Sequence, residues 1–210
     1  MTQFRKAVAE DLPGIVSIHQ TAFRNFFLTR LGGDFLRRYY ELALSYRAGI
    51  LLVSPWGGTP EGFACGFSDP AEFYRLLWRN RRIFAAPAIS ALIRQPSLAA
   101  NILRGLRRVQ SPAAPERERS CELSSIAVAP QAAGQGLGKA LIQAFLAQAR
   151  LMEAQSVYLT TDADGNEPVN AFYRQAGFQN TRRFLQRRGR WMNEYVITLP
   201  GAAEGWERAR

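Results

Sequence analysis

Histidine occurs once in this chain, at position 19, and cysteine twice, at 65 and 121. One histidine excludes a His-rich metal site. His19 falls in an amphipathic N-terminal stretch, where a structural role is the simpler expectation. Cys65 and Cys121 lie inside strand-like runs, so each is expected to be a buried, reduced thiol in a cytoplasmic protein. Lysine is nearly missing too: Lys6 and Lys139 are the only two, and arginine carries almost all the positive charge. No apolar run is long enough to span a bilayer, and the opening MTQFRKAVAEDL does not read as a signal peptide.

What is present suits one globular domain. The 210 residues are 47% hydrophobic and 21% charged, enough to bury a sizeable core over residues 1–199, with 200–210 expected as a frayed tail. The net charge of +10 favours polyanions: a phosphorylated cofactor or substrate, a nucleic acid or an anionic membrane. Charge alone does not choose among them.

The most informative stretch is Gly134-Gln135-Gly136-Leu137-Gly138-Lys139. A β-patterned run, Ser120 to Ala129, precedes it and Pro130 stops that run. After it, Leu141, Ile142, Phe145, Leu146, Ala149 and Met152 recur at helical spacing. Strand, glycine turn and helix make an anion site, because glycines let N–H groups approach a phosphate and the first helical turn has unpaired donors. The spacing is not G-x-x-x-x-G-K-S/T, and no βαβ series follows to support a dinucleotide fold. A flexible turn before an amphipathic helix remains open as the plainer alternative.

Taken in order, residues 4–8 predict a short strand, and Glu10-Asp11-Leu12-Pro13 starts a helix with Ile15, Ile18, His19, Ala22 and Phe23 on one face. A turn-rich stretch from Asn25 leads to a helix over 34–46. Residues 50–54 and 62–67 predict a hairpin joined by a loop through Pro55 and Pro60. Residues 68–119 hold ten arginines against four acids and read as two or three short helices broken near Pro87 and Pro96. Their apolar faces include Phe73, Ile83, Phe84, Ile89, Ile93, Leu98, Ile102, Leu103 and Leu106, and Pro112 to Pro115 closes the segment as a loop. Then come strands over 120–129 and 156–161, a helix over 166–175 ending before Gly177, and a hairpin over 178–199.

Val128-Ala129-Pro130, the three glycines, and the run Asn166-Glu167-Pro168-Val169-Asn170-Ala171-Phe172-Tyr173-Arg174-Gln175-Ala176-Gly177-Phe178 together resemble the GCN5-related N-acetyltransferase (GNAT) family. The order of elements agrees over most of the chain outside 68–119. The specific motifs lie within about residues 120–180. The resemblance implies an α/β (α+β) fold with a mixed, splayed central sheet of about seven strands flanked by helices. Here it would carry a helical insert between strands 3 and 4. It also implies acetyl-CoA as co-substrate.

The residues fit that chemistry. The N–H groups of Gln135, Gly136, Leu137, Gly138 and Lys139 suit a pyrophosphate, and an open edge over Ile126, Ala127 and Val128 could pair the pantetheine amides as an added strand would. The resemblance assigns a backbone N–H near Val128 to the charge developing on the carbonyl oxygen. It places Tyr173 as general acid for the leaving sulfur and Glu122 as base, with a core aromatic and a strand-end ion pair as the structural alternatives. Glu122 lies six residues before Val128, a spacing that predicts one shared strand face. Asn166, Val169 and Tyr173 share a helical face, and Asn166 is expected as an N-cap with a further cofactor contact open to it. Ala133 departs from the family, which usually has Gln or Arg before the first glycine, so weaker cofactor binding is expected, with Gln131 or Gln135 as substitutes.

Function is therefore expected to be direct acetyl transfer from acetyl-CoA to a primary amine, without metal or covalent enzyme intermediate. Residues 26–32 are similar to family members that act on amino sugars, which favours a nucleotide- or lipid-linked amino sugar as the small-molecule acceptor. A protein or peptide amine is the alternative, and a non-catalytic acyl-CoA-binding module is the alternative from another class. The insert is expected to cap the acceptor side of the cleft, with Arg79, Arg81 and Arg82 facing an acidic group of the substrate. Peripheral contact with the inner face of the membrane is the second reading of that basic segment. No nucleic-acid partner is expected, since no reader motif is present. The oligomeric state is left open.

Overall fold

The computed structural model describes residues 4–24, 26–56, 58–94, 96, 119–186 and 189–200. Its elements are β1 (Arg5–Lys6), α1 (Leu12–Ala22), α2 (Phe27–Arg30), α3 (Gly33–Ser45), β2 (Gly49–Trp56), β3 (Thr59–Phe67), α4 (Pro70–Arg79) and α5 (Arg81–Arg94). The second half adds β4 (Ser120–Val128), α6 (Leu137–Leu151), β5 (Ser156–Asp162), α7 (Glu167–Gln175), β6 (Gln179–Gln186) and β7 (Arg190–Thr198). The seven strands form one sheet in the order β1-β2-β3-β4-β5-β7-β6. Among these pairs only β4 and β5 run parallel, and they pair through just three positions: Ser120 with Ser156, Cys121 with Val157 and Glu122 with Tyr158. Beyond Glu122 the two strands separate and leave a slot in the sheet.

Two apolar layers cover the sheet. Ile15, Leu36, Tyr40, Phe63, Phe67, Phe73 and Phe84 make the core beneath α1, α3, α4 and α5. Leu141, Ile142, Phe145, Val157, Leu159, Tyr173 and Tyr195 make the core beneath α6 and α7. Ile15, Ile18 and His19 of α1 are buried as its periodicity predicts, whereas Ala22 is exposed. Asp11 does not cap α1 with its side chain. Its carboxylate turns back, accepting from Val8 N at 2.8 Å and from both Arg5 terminal nitrogens at 2.6 and 2.8 Å, and the arginine holds it below the usual carboxylate range.

Several expectations are corrected. The predicted loop through residues 55–60 is mostly strand: β2 runs to Trp56 and β3 starts at Thr59, with Pro55 opposite Pro60 next to a register shift. A shift in the ladder is where a proline can enter a strand without costing a needed donor. The turn-rich stretch after Asn25 contains the short helix α2. Pro87 does not break the insert, since α5 continues through it. The carbonyl left without its helical donor is that of Ile83, an exposed residue.

The insert helices α4 and α5 pack into the core. Phe73 is fully buried and stacks on Phe67 with ring centroids 3.7 Å apart, and Phe84 lies 5.0 Å from Phe35. Truncating a buried phenylalanine costs about 3–5 kcal/mol, so these helices contribute to the stability of the domain. Ile83, Ile89 and Ile93, read as part of the insert's apolar faces, are exposed. The remaining insert expectations, covering residues 97–118, fall outside the described residues, as do those for 201–210.

Candidate active site

β4 is organised by a bulge. Its partners on β3 step from Cys65–Ser125 to Gly66–Leu123, leaving Ser124 as the extra residue. Gly66 is the residue that tolerates this, because a Cβ there would lie 2.0 Å from the Glu122 carbonyl and 2.4 Å from the Phe145 ring. A bulge reverses the alternation of side chains along a strand. Glu122 therefore faces the layer of α3 and α4, while Ile126 and Val128 pack against the layer of α6. The predicted shared face of Glu122 and Val128 is thus wrong, for the physical reason that one inserted residue inverts the parity.

The same strand presents its main chain to the slot. Ala129 N donates to Glu61 O at 2.7 Å, toward β3. Backbone groups alternate in an antiparallel pair, so those of Ala127 also point to β3 and those of Ile126 and Val128 point away from it. On that other side β5 has already diverged. Ala127 is accordingly a core residue under α1 and α3, not a cleft residue.

The glycine turn follows directly. Gly134 and Gly136 have φ of +77° and +76°, Gly136 is the N-cap of α6, and nothing lies within 4 Å of where their side chains would be. Gly138 is inside the helix, and its place is one of close approach: a Cβ would sit 3.3 Å from Phe172 of α7 and 3.8 Å from Val128. The turn, the end of β4 and α7 thus converge. Ala140 N is the first amide to find its helical partner, Gly136 O, so the amides of Leu137, Gly138 and Lys139 have no acceptor within the helix. Gln135 Nε2 donates to Gln131 O at 3.2 Å, which occupies that side chain within the loop. Ala133 is exposed.

Tyr173 lies on the α6–α7 face, ringed by Phe172, Phe178 and Tyr195 at centroid distances of 5.4, 5.9 and 5.8 Å. Burial pushes its hydroxyl well above the ordinary phenol range, so it stays protonated. Asn166 occupies the N-cap position without capping through its side chain, which donates to Thr161 Oγ1 at 2.9 Å. Val169 is exposed. Asn170 escaped the sequence reading, although it repeats Asn166 one helical turn on. It is 1% exposed and joins α7 to both neighbouring strands. Its Nδ2 donates to Asp162 O at 2.9 Å, and its Oδ1 accepts from Asn193 and Tyr195 at 2.9 and 3.0 Å.

On the opposite face the Tyr74 hydroxyl donates to Glu122 Oε1 at 3.1 Å. Trp78 follows one turn along α4, and the Arg81 guanidinium lies 4.9 Å over its ring. Arg79 is on a separate face with Glu72, 3.5 Å away, and Arg82 is exposed. Across the slot, Arg190 reaches Asp162 with its shortest contacts at 2.6 Å and lies 5.4 Å over the Phe26 ring. Tyr74 and Arg190 carry no motif, so only their positions reveal them.

A family model described as the acetyltransferase (GNAT) family matches residues 13–178. The chain belongs to the GNAT family. It is an acyltransferase that uses acetyl-CoA as co-substrate, and its mixed seven-stranded sheet is the fold of that family. Among solved structures it is similar to the ribosomal-protein-alanine N-acetyltransferase of Brucella melitensis, at 20% identity over 94% of this chain and 99% of that one, with a TM-score of 0.62. An N-acetyltransferase from Staphylococcus aureus Mu50 shares 16% identity over 93% and 97% of the two chains, also at 0.62. The yncA protein of Salmonella typhimurium, solved with its cofactor acetyl-CoA, shares 18% over 94% and 93%, at 0.59. At these identities the likeness is one of fold. No match was found among the curated proteins.

In this GNAT chain the residues fit the co-substrate on independent grounds. Open space at Gly134 and Gly136, unpaired amides on the first turn of a 15-residue helix, and an unpaired strand edge meet at one place. Among the described residues no helix is long and apolar enough to cross a membrane, and no group of three or more His, Cys, Asp or Glu could hold a metal.

Proposed function

We propose that the chain acetylates the primary amine of a small anionic acceptor, an amino sugar carried on a nucleotide or lipid. Glu122, held by Tyr74 at the narrow end of the slot between β4 and β5, carries this reading, with Tyr173 in the apolar layer on the other face of the sheet. Acetyl-CoA supplies the acyl group; the chain supplies position and proton transfer. Leu137, Gly138 and Lys139 amides hold phosphate, aided by the positive end of α6. Main-chain groups of Ile126 and Val128 align the amide-bearing arm in the slot, and the Val128 N–H is the donor for charge on the carbonyl oxygen.

From the other face the acceptor amine meets Glu122, which takes its proton directly or through water. Tyr74 orients that carboxylate. Tyr173, kept protonated by burial, donates to the departing sulfur. Arg81 over Trp78 supplies aromatic surface and positive charge on the acceptor side, which suits an anionic carrier, while Arg190 over Phe26 is already paired with Asp162. Arg82 adds exposed charge, and Arg79 is the weakest of the three insert candidates because Glu72 engages it.

A turnover screen tests this. Acetyl-CoA with amino sugars, free and carried on nucleotide or lipid, should release thiol in proportion to acceptor, with anionic forms preferred. Turnover of peptide α-amines or lysines in place of amino sugars would reassign the acceptor. Binding of acetyl-CoA with no turnover on any amine would favour a non-catalytic module. Firm, salt-sensitive flotation with anionic liposomes would favour the membrane reading of the basic insert.

A further inference from the structure

The bulge in β4 is gripped from one side by a pair of tyrosines. Successive residues of a regular strand point to opposite faces, yet Ser124 and Ser125 both face α3, because the bulge inserts Ser124. Tyr39 and Tyr40 are also consecutive, on a helix, and both are buried. The Tyr39 hydroxyl and Ser124 Oγ are hydrogen-bonded at 3.3 Å, and the Tyr40 hydroxyl and Ser125 Oγ at 3.2 Å. Each tyrosine thus reads one serine. A slip of β4 by one residue would break both bonds together.

Behind Tyr40 stands the single histidine. His19 Nδ1 lies 2.7 Å from the Tyr40 hydroxyl, and His19 Nε2 is buried without a partner among the described residues. Burial lowers the imidazole to about 4, so it is neutral in ordinary buffers. The tautomer follows from the orphan atom. With the proton on Nδ1, His19 donates to Tyr40, Tyr40 donates to Ser125, and the atom left over is a lone pair. The reverse direction would leave a buried N–H unpaired, the rarer and costlier arrangement. A wholly apolar core would avoid the orphan altogether, so this polar chain is a poor choice for stability alone.

We propose that Tyr39, Tyr40 and His19 are positioning residues for acetyl transfer. They fix the Ser124–Ser125 bulge, which aims Glu122 to one face of β4 and the Ile126 and Val128 main chain into the slot. The proposal rests on the reading of Glu122 given above. If the bulge flattened, the parity between residue 122 and residues 126–128 would invert, and base and strand edge would lose their relation.

Four variants test it: Tyr40→Phe, Ser125→Ala, their double variant, and Ser125→Thr, which keeps the hydroxyl. Tyr40→Phe and Ser125→Ala should each lower kcat about ten-fold, as misplacement does, and raise KM for acetyl-CoA, because the Ile126 and Val128 main chain shifts with the bulge. The double variant should be no worse than Tyr40→Phe, because that variant already breaks the bond to Ser125 along with the one to His19. Ser125→Thr should recover most of the loss. A lower Tm with wild-type kcat would overturn the proposal, as would losses that multiply in the double variant. Amide exchange at Ser125 and Ala127, which are turned toward β3 on either side of the slot-facing Ile126, reads the bulge without turnover and should speed up in Tyr40→Phe; unchanged exchange there also overturns it. An inert Glu122→Gln would instead count against the base assignment, whatever the exchange result.

Discussion

The Tyr74 hydroxyl donates to Glu122 Oε1 across 3.1 Å and joins α4 of the arginine-rich insert to the narrow end of the slot. Glu122 is also the last β4 residue paired with β5. Insert and reaction site are therefore one structure. The Tyr74 phenol is itself pushed far up by burial and by the charge of Glu122, so it serves as donor throughout the working range.

If Glu122 is the base, Glu122→Gln lowers kcat/KM most at low pH. There the acceptor amine is mostly protonated and needs a partner to lose its proton. The loss should shrink as pH rises and the free amine becomes abundant. A loss of equal size at every pH would make Glu122 a structural or acceptor-binding residue.

Tyr173→Phe separates chemistry from packing. The ring environment of Phe172, Phe178 and Tyr195 is kept and only the hydroxyl goes. The expected result is a fall in kcat of about one to three decades, in line with general acid catalysis. Acetyl-CoA affinity by calorimetry should stay the same. Full activity, with chemistry shown to be rate-limiting, would return Tyr173 to the core.

His19 makes the fold acid-sensitive in a defined window. Its folded value of about 4 lies below the ordinary 6.5, so the unfolded chain binds the extra proton first. Stability therefore rises with pH through this interval and is lost as pH falls from about 6.5 toward 4, at up to about 1.4 kcal/mol per unit. Asp11 has the opposite charge type with its value also lowered; its contribution is lost only below the carboxylate range. Denaturant titrations at pH 7 and pH 5 should show a larger difference in the wild type than in His19→Asn. Equal differences would contradict a buried neutral imidazole.

Much of this was legible in residue periodicity. Leu141, Ile142, Phe145 and Ala149 announce α6 because a helix buries a stripe at that spacing, and all four are buried. The positive φ of Gly134 and Gly136 likewise accords with their place before the helix. The bulge shows only as a three-residue step from Leu123 to Ile126 between apolar pairs spaced by two, a slip that a straight count of six from Glu122 to Val128 passes over. The extra residue, Ser124, decides which face Glu122 occupies. Composition could not separate Arg81, stacked on Trp78, from Arg79, held by Glu72. Pro55 and Pro87 suggested breaks, but each sits where the missing donor costs little.

Amide hydrogen exchange with and without acetyl-CoA measures directly where the co-substrate lies. The amides of Ile126 and Val128, facing the slot, and of Leu137, Gly138 and Lys139, on the first turn of α6, should slow together as the ligand is added. The amide of Ala127, already turned toward β3, should change little. Protection of other segments, with those five amides exchanging as before, would contradict the site.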